Sequence, residues 1–372
     1  MNNKKKVSFF LPSFRTGGSE KIFIELANHL HINFEYDIEM VCVNNEGKLK
    51  NIINKNIRII NLKKNSVSES ILPFIRYLRD SNSKIIISSM SHCNIMVIIS
   101  KLISRSKTKI IVRECSSIYV KILPFSLNIK KRIIKLLMKI LYKKADYVIS
   151  NSLDLAKHLK KELNLKKVKV IYNGYELERI KELSLEEPSQ NFFNNQKVIV
   201  SVGRLSHEKG LDFLIKAFKI VRKELDCKLI ILGEGPLKKI LLNLSKDLCL
   251  EKDIHFLGYQ KNPYPYIKKS NIFVLPSIIE GLPGALIQAL ILNKNIISTN
   301  CKFGPREILK NGKLGKLIPI KDKKRLAKEI INELNNPSPI KKQIDLDLDR
   351  FHMKNIVKKY NLLFKELTKP NI

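Results

Sequence analysis

Short apolar runs rich in β-branched residues alternate with longer amphipathic stretches along nearly the whole chain, and this alternation restricts the fold more than any other feature. A strand followed each time by a helix before the next strand builds βαβ units around a parallel sheet. In the first half the expected strands are Val7–Leu11, Ile38–Val43, Lys84–Ser88, Lys109–Val112, Tyr147–Ser150 and Val168–Ile171. Helices are expected between them over Ser19–His29, Ile71–Asp80, Lys130–Tyr142 and Asp154–Glu162. After Tyr172-Asn173-Gly174 the pattern lapses into a charged stretch containing Pro and Asn, which suits a linker. It restarts with strands at Val198–Val202, Lys228–Leu232, Ile254–Leu257, Ile272–Leu275 and Asn295–Ser298. Phe351 to Leu367 spaces its apolar residues like a final helix.

The fold class is therefore α/β: two Rossmann-like, doubly wound domains with a cleft between them. The domains are expected at 1–175 and 196–350, the linker at 176–195, and a C-terminal helix at 351–372 that can pack back on the first domain. A length of 372 residues suits two domains. In open sheets of this kind ligands bind at the carboxyl ends of the strands, so the chemistry is sought there.

Lys and Arg number 69 against 34 Asp and Glu, a formal net charge of +35. Such an excess points to a nucleic acid, an anionic membrane or a phosphorylated substrate. Nucleic acid is not expected: there is no tryptophan, aromatic residues are 7%, and no stacking motif or helix-turn-helix is visible. The six cysteines, Cys42, Cys93, Cys115, Cys227, Cys249 and Cys301, form no C-x-x-C pair and read as reduced thiols of a cytoplasmic protein. The basic N-terminus reads as a first strand rather than a signal peptide, because its apolar stretch is broken at Pro12 and Arg15. No run is long enough to span a membrane, so any attachment is peripheral.

Three loops carry candidate chemistry. Gly203-Arg204-Leu205-Ser206-His207-Glu208-Lys209-Gly210 follows a strand and precedes a helix. Its glycine permits close approach of a ligand, and Arg204 and Lys209 form a possible diphosphate clamp, although spacing alone equally fits a charged surface loop. Pro276 to Gln288 also follows a strand. Pro283-Gly284 sits where a helix begins, leaving the amides near Gly284, Ala285 and Leu286 to face an anion or a sugar hydroxyl. Glu280 there is either a sugar-binding carboxylate or a helix-start charge. Arg15-Thr16-Gly17-Gly18-Ser19-Glu20 joins the first strand to the first helix, with a turn that could cover a phosphate and Ser19 as the expected N-cap.

The order and contexts of these loops resemble the retaining glycosyltransferases of family 4, with the GT-B architecture. The likeness extends to Asn173-Gly174, Gly233-Glu234-Gly235-Pro236 and Gly304-Pro305-Arg306-Glu307, the last similar to transferases that build bacterial surface polysaccharides. The resemblance implies an acceptor-binding first domain and a second domain that binds a nucleotide diphosphate sugar, with uridine diphosphate and a hexose or N-acetylhexosamine expected. Arg204 and Lys209 would neutralise the departing diphosphate, Glu280 would hold the transferred sugar with amides near Gly284 and Ala285, and Gly17, Gly18 and Gly203 would admit the diphosphate. Where the family has a second glutamate, eight residues after the first, this chain has Gln288. An amide can still bond a ribose hydroxyl. A two-carboxylate mechanism cannot operate, so retention by same-face substitution is expected. The substitution also leaves room for a non-catalytic relative of these enzymes.

His92, Arg113 and Glu114 follow strands and are acceptor-side candidates; a structural histidine and a surface ion pair are their bland alternatives. Asp345-Leu346-Asp347-Leu348-Asp349 mimics a metal motif but follows no strand, and no cofactor or metal is expected. Gly233-Glu234-Gly235 lacks the third glycine of a dinucleotide fingerprint. Over Lys130–Lys144, Lys131, Lys135, Lys139 and Lys143 fall along one helix face, with Ile133, Leu136, Leu137, Ile140 and Leu141 over much of the other. That is the pattern of a helix lying on anionic lipid, and equally of a core-packed helix with a solvated lysine face. The resulting expectation is a cytoplasmic enzyme, peripheral on the inner face of the cell membrane, acting on a lipid-linked or surface-polysaccharide glycan.

Overall fold

A computed structural model describes residues 4–15, 17–115, 129–190, 192–193, 196–339 and 347–369. The chain forms two compact units, one of Met1–Tyr175 with Arg350–Ile372 and one of Glu176–Asp349.

The first unit runs β1 (Lys5–Leu11), α1 (Gly18–Asn33), β2 (Tyr36–Cys42), β3 (Arg58–Asn61), α2 (Ile71–Asp80), β4 (Ile85–Ser89), α3 (Ser91–Ser104), β5 (Lys109–Glu114), α4 (Ile129–Leu141), β6 (Tyr147–Ser150), α5 (Leu153–Leu163) and β7 (Val168–Val170). These strands form one sheet in the order β3-β2-β1-β4-β5-β6-β7, every pair parallel. Burial on both faces explains why strands such as Ile85-Ile86-Ile87 are uninterrupted apolar runs rather than alternating ones. The order reverses beside β1, where Val7 pairs with Ile38 of β2 on one side and Ile85 of β4 on the other. The loop carrying Gly17 and Gly18 therefore leaves the sheet at its switch point.

The C-terminal helix, Met353–Leu367, belongs to this unit. Met353, Ile356, Val357, Tyr360, Leu363 and Phe364 join the same core as Phe9, Phe23 and Ile38. The Phe364 ring meets Tyr36 edge-on at 5.4 Å, and the Tyr36 hydroxyl donates to Asn361 Oδ1 at 2.8 Å. Before it, Tyr175 and His352 form a parallel bridge: Tyr175 N donates to Phe351 O at 2.8 Å and Met353 N to Tyr175 O at 2.9 Å.

The second unit contains α6 (Leu177–Leu183), β8 (Lys197–Val202), α7 (Leu211–Glu224), β9 (Cys227–Leu232), α8 (Lys238–Asp247), β10 (Ile254–Gly258), α9 (Tyr264–Lys269), β11 (Ile272–Leu275), α10 (Gly284–Ile291), β12 (Asn295–Thr299), α11 (Pro305–Ile308), β13 (Lys316–Ile318) and α12 (Lys323–Asn335). Its sheet, also parallel throughout, has the order β10-β9-β8-β11-β12-β13. The switch point lies between β8 and β11, where Ile199 pairs with Ile272. The core gathers Leu214, Phe218 and Val221 of α7 with Leu326 and Ile330 of α12 over these strands.

Two expectations change. The stretch 176–195 is not wholly linker: α6 occupies Leu177–Leu183 and buries Leu177 and Ile180. The N-cap of α1 is Gly17, not Ser19, which lies inside the helix, and Gly17 makes no side-chain cap.

Candidate functional site

In the second unit the switch point brings two of the three loops together. The loop after β8 carries Gly203, Arg204 and Lys209; the loop after β11 carries Ser277 and Glu280. Main-chain bonds hold one to the other, since Ile278 N and Ile279 N both donate to Glu208 O, at 2.8 and 3.2 Å. Gly210 makes the join possible. Its φ is +60°, and a Cβ there would stand 2.4 Å from Pro276 O, so a side chain would force the loops apart. A third loop closes behind: Gly203 N donates to Leu232 O at 2.9 Å and Leu205 N to Glu234 O at 3.0 Å. Gly233, φ +138°, lies so near Gly203 that a Cβ would meet its carbonyl oxygen at 1.9 Å. Thus Gly233-Glu234-Gly235 supports the Arg204 loop.

Within this frame Lys209 Nζ donates to Glu280 Oε1 at 2.6 Å, and Ser277 Oγ donates to the same oxygen at 2.7 Å. The Glu280 side chain is 8% exposed and that of Lys209 24%. The lysine stem passes over Gly203, whose missing Cβ would sit 3.7 Å from Lys209 Cδ. One of three ammonium donors meets the carboxylate, so the same nitrogen can also bond an anion. Glu208 is buried enough to raise its carboxyl pKa, but the Ser206 hydroxyl at 2.6 Å, its own amide, and the Lys209 and Arg204 charges lower it overall. The Arg204 side chain is exposed.

The first-turn amides of α10 complete the loop pair. Gly284, Ala285 and Leu286 precede the first intrahelical donor, Ile287 N to Pro283 O, and Gly284 and Ala285 are partly exposed. Gln288 is half-buried one turn further on. Sequence reasoning missed Ser277, though its place three residues before a glutamate in a Pro-led turn was a usable signal. It also missed Cys301 as a neighbour of the pair. Burial, then the Glu280 charge, pushes that thiol up to about 12 against the opposing pull of Lys209.

In the first unit Gly18 has open space where a Cβ would stand, whereas Gly17 lies under the Glu20 carboxylate. Thr16 lies outside the described residues. His92 is not in a loop but in the first turn of α3, with an exposed side chain. Arg113 and Glu114, 2% and 1% exposed, form no surface ion pair. Glu114 Oε2 accepts from Ser91 Oγ at 2.8 Å and from the Tyr142 hydroxyl at 2.9 Å. Burial and that carboxylate keep the Tyr142 phenol protonated by raising its pKa far up. Arg113 Nη2 donates to Asn173 Oδ1 at 3.0 Å while the guanidinium lies 5.2 Å from the Phe23 ring centre. Both residues are buried at the carboxyl end of β5.

Asp345 lies outside the described residues, and Asp347 is held by Lys310 at 2.6 Å. All six cysteines are unpaired. On α4 the alternative of a core-packed apolar face is corrected. Lys135, partly exposed, pairs with Glu162 of α5 at 3.1 Å, and Ile133, Leu136 and Ile140 are exposed. Lys139 and Lys143 are exposed, and the Lys131 side chain lies outside the described residues.

Comparisons with known proteins identify the family. Residues 16–179 match the family described as Glycosyltransferase Family 4, and residues 182–346 match Glycosyl transferases group 1. An uncharacterized glycosyltransferase of Methanocaldococcus jannaschii is 44% identical over 186 residues, 48% of this chain and 45% of that protein, so the match spans about half of that relative. The N-acetylgalactosamine-N,N'-diacetylbacillosaminyl-diphospho-undecaprenol 4-alpha-N-acetylgalactosaminyltransferase of Campylobacter jejuni is 29% identical over 327 residues, 85% of this chain and 86% of that protein. The solved structure of Anabaena HepE with UDP and glucose superposes with a TM-score of 0.80 at 17% identity, covering 97% of this chain and all of that one, a likeness of fold. With both family matches spanning most of the sequence and the two parallel-sheet units beneath them, the chain belongs to glycosyltransferase family 4: it is a glycosyltransferase with the GT-B fold.

Proposed function

We propose that the protein transfers a hexose or N-acetylhexosamine, with retention of configuration, from a uridine diphosphate sugar to a lipid-linked glycan in bacterial surface-polysaccharide synthesis. The observation that carries this reading is the meeting of Lys209 and Glu280 at the switch point of the second sheet. A cation and a carboxylate side by side suit a ligand that is anionic at one end and rich in hydroxyls at the other. A sugar diphosphate is such a ligand.

In this reading Arg204 and Lys209 bind the diphosphate and neutralise the charge that grows as it departs. Glu280, fixed by Ser277, accepts hydrogen bonds from the sugar hydroxyls, and the Gly284 and Ala285 amides donate to it. Gln288 takes a ribose hydroxyl. The C1–oxygen bond to the diphosphate breaks, the acceptor oxygen forms its bond to C1 on the same face, and the acceptor proton passes to the departing phosphate oxygen. No second carboxylate is required, and none stands at position 288. Arg204 and Lys209 supply the positive charge, so turnover needs no added divalent metal. Gly17 and Gly18 admit the diphosphate, and His92 lies on the acceptor side; Arg113 and Glu114 shape that side from below.

The acceptor class is supported by the Campylobacter relative, whose name carries a diphospho-undecaprenol-linked glycan. The donor nucleotide is supported by the UDP in the Anabaena structure. The proposed location is the cytoplasmic face of the membrane, held peripherally; among the described residues no helix is long and apolar enough to cross it. The test is a panel of nucleotide sugars offered with polyprenyl-diphosphate-linked glycans in chelator. Transfer of one uridine diphosphate sugar with an unchanged anomeric configuration is expected. Inversion, dependence on a divalent metal, or neither transfer nor slow donor hydrolysis with any uridine diphosphate sugar would overturn the reading.

A further inference from the structure

The turn that carries Glu280 is held from both sides, by different means. On the β8 side the tie is main chain, from the Ile278 and Ile279 amides to Glu208 O. On the β12 side the ladder stops. Its last pair is Leu275 with Ser298, and Pro276, the next residue, has no N–H to donate. β12 itself runs one residue further, since Thr299 pairs with Ile318 of β13 and Asn300 N donates to Ile318 O at 2.7 Å. The Thr299 backbone is thus fixed at a level where β11 has already turned away.

The Thr299 side chain bridges that gap. Its hydroxyl donates to Ser277 O at 2.5 Å, with Leu275 O the farther acceptor at 3.3 Å. Thr299 and Ser277 are 2% and 0% exposed, so the bond lies away from solvent. Ser277 in turn donates through its own hydroxyl to Glu280 Oε1, the oxygen that Lys209 also meets. One buried run therefore leads from β12, through the Ser277 carbonyl and hydroxyl, to the carboxylate. The segment after β12 presses on the same turn further along: Gly304 has φ +89°, and a Cβ there would stand 2.5 Å from Pro283 Cδ and 2.9 Å from Gly281 O. Buried positions on a parallel strand ordinarily take apolar β-branched residues, as at Ile296 and Ile297. A hydroxyl in such a place is costly unless it is bonded, and Thr299 spends its proton on the Glu280 turn.

We infer that Thr299 is a positioning residue for sugar recognition: acting through Ser277, it sets where the Glu280 carboxylate stands. This deepens the proposed function and rests on the sugar-binding role given there to Glu280. A recognition group is only as well placed as the residues that hold it, and Thr299 supplies the hold from the β12 side.

The test compares Thr299→Val, which keeps the shape and removes the hydroxyl, with Thr299→Ser, which keeps the hydroxyl. Hydrogen exchange on the ligand-free full chain reads the turn. Titration with uridine diphosphate, and with the uridine diphosphate sugar that the parent binds, reads the site. In Thr299→Val the Ile278 and Ile279 amides should exchange at least about tenfold faster, with the β9 amides of the same unit unchanged. The ratio of the nucleotide Kd to the sugar-conjugate Kd should fall at least about fivefold, while nucleotide affinity stays within about twofold of the parent. Thr299→Ser should keep both readouts near the parental values. A lowered melting temperature in Thr299→Val with a parental ratio would show a structural role alone and overturn the inference. So would unchanged exchange at Ile278 and Ile279, a uniform rise across the second unit, or an equal loss in Thr299→Ser. Glu280→Gln separates the inference from the reading beneath it. A parental ratio in that variant, or no binding of any uridine diphosphate sugar, removes both; a lowered ratio there beside a parental one in Thr299→Val removes the inference and leaves the proposed activity standing.

Discussion

Replacing Lys209 by methionine keeps the stem that lies over Gly203 and removes the charge that meets Glu280. The bond lost is a 2.6 Å charged contact to a carboxylate only 8% exposed, to whose same oxygen Ser277 also donates. A hydrogen bond between charged groups contributes about 1.5–3 kcal/mol. Because the Lys209 side chain is 24% exposed, solvent screening places the cost near the lower end, at about 1.5–2 kcal/mol. The same substitution removes one of two cations proposed for the diphosphate, and loss of such a group costs about 10²–10³ in turnover. Urea unfolding and a donor-saturated transfer assay read the two effects separately. In the double variant Lys209→Met/Glu280→Gln the stability costs should be less than additive, because each single change already breaks the pair. Parental stability and turnover in Lys209→Met would refute the reasoning, as would strictly additive stability losses.

Other substitutions test the frame and the proposed roles. Gly210→Ala meets Pro276 O at 2.4 Å with φ at +60° and should destabilise by at least about 2 kcal/mol in urea unfolding, while Gly18→Ala, which meets open space, should cost under about 1 kcal/mol. Glu280→Gln and Arg204→Ala should cripple turnover in a donor-saturated assay, whereas Gln288→Glu should not; near-parental rates for the first two would discard their assigned roles. Alkylation of the native protein followed by peptide mapping should modify exposed Cys249 first and spare buried Cys42 and Cys301. Burial pushes both of those thiols up to about 12. The folded state thus retains protons that the unfolded chain releases near pH 9, so stability falls as pH rises from about 9 toward 12 and is unaffected by these groups below that window.

The strands that carry the site were legible because fully buried parallel strands are unbroken β-branched runs, and the loops after β8 and β11 were found by following such runs to their ends. Two edge strands, Arg58–Asn61 and Lys316–Ile318, escaped because they are short and half-exposed, which leaves little hydrophobic pattern. Helix α3 escaped for the opposite reason. It is buried on most sides, from Cys93 to Ile98, so its sequence lacks the one-sided stripe that marks a surface helix. On α4 the pairing of Lys135 with Glu162 of α5 is a long-range contact, and no local spacing contains that information. Ser277 shares the turn after β11 with Glu280 and was within reach of local reasoning, whereas Cys301, beyond the end of β12, feels the Glu280 charge only because β12 lies beside β11.

The central claim is that Arg204, Lys209 and Glu280 share one nucleotide diphosphate sugar, and calorimetric titration of the full chain tests it most directly. Uridine diphosphate should bind the parent protein and bind at least about tenfold more weakly to Arg204→Ala and Lys209→Met. Glu280→Gln should keep affinity for the nucleotide and lose the added affinity for its sugar conjugate. Equal binding of the nucleotide to the parent and both cation variants would contradict the account.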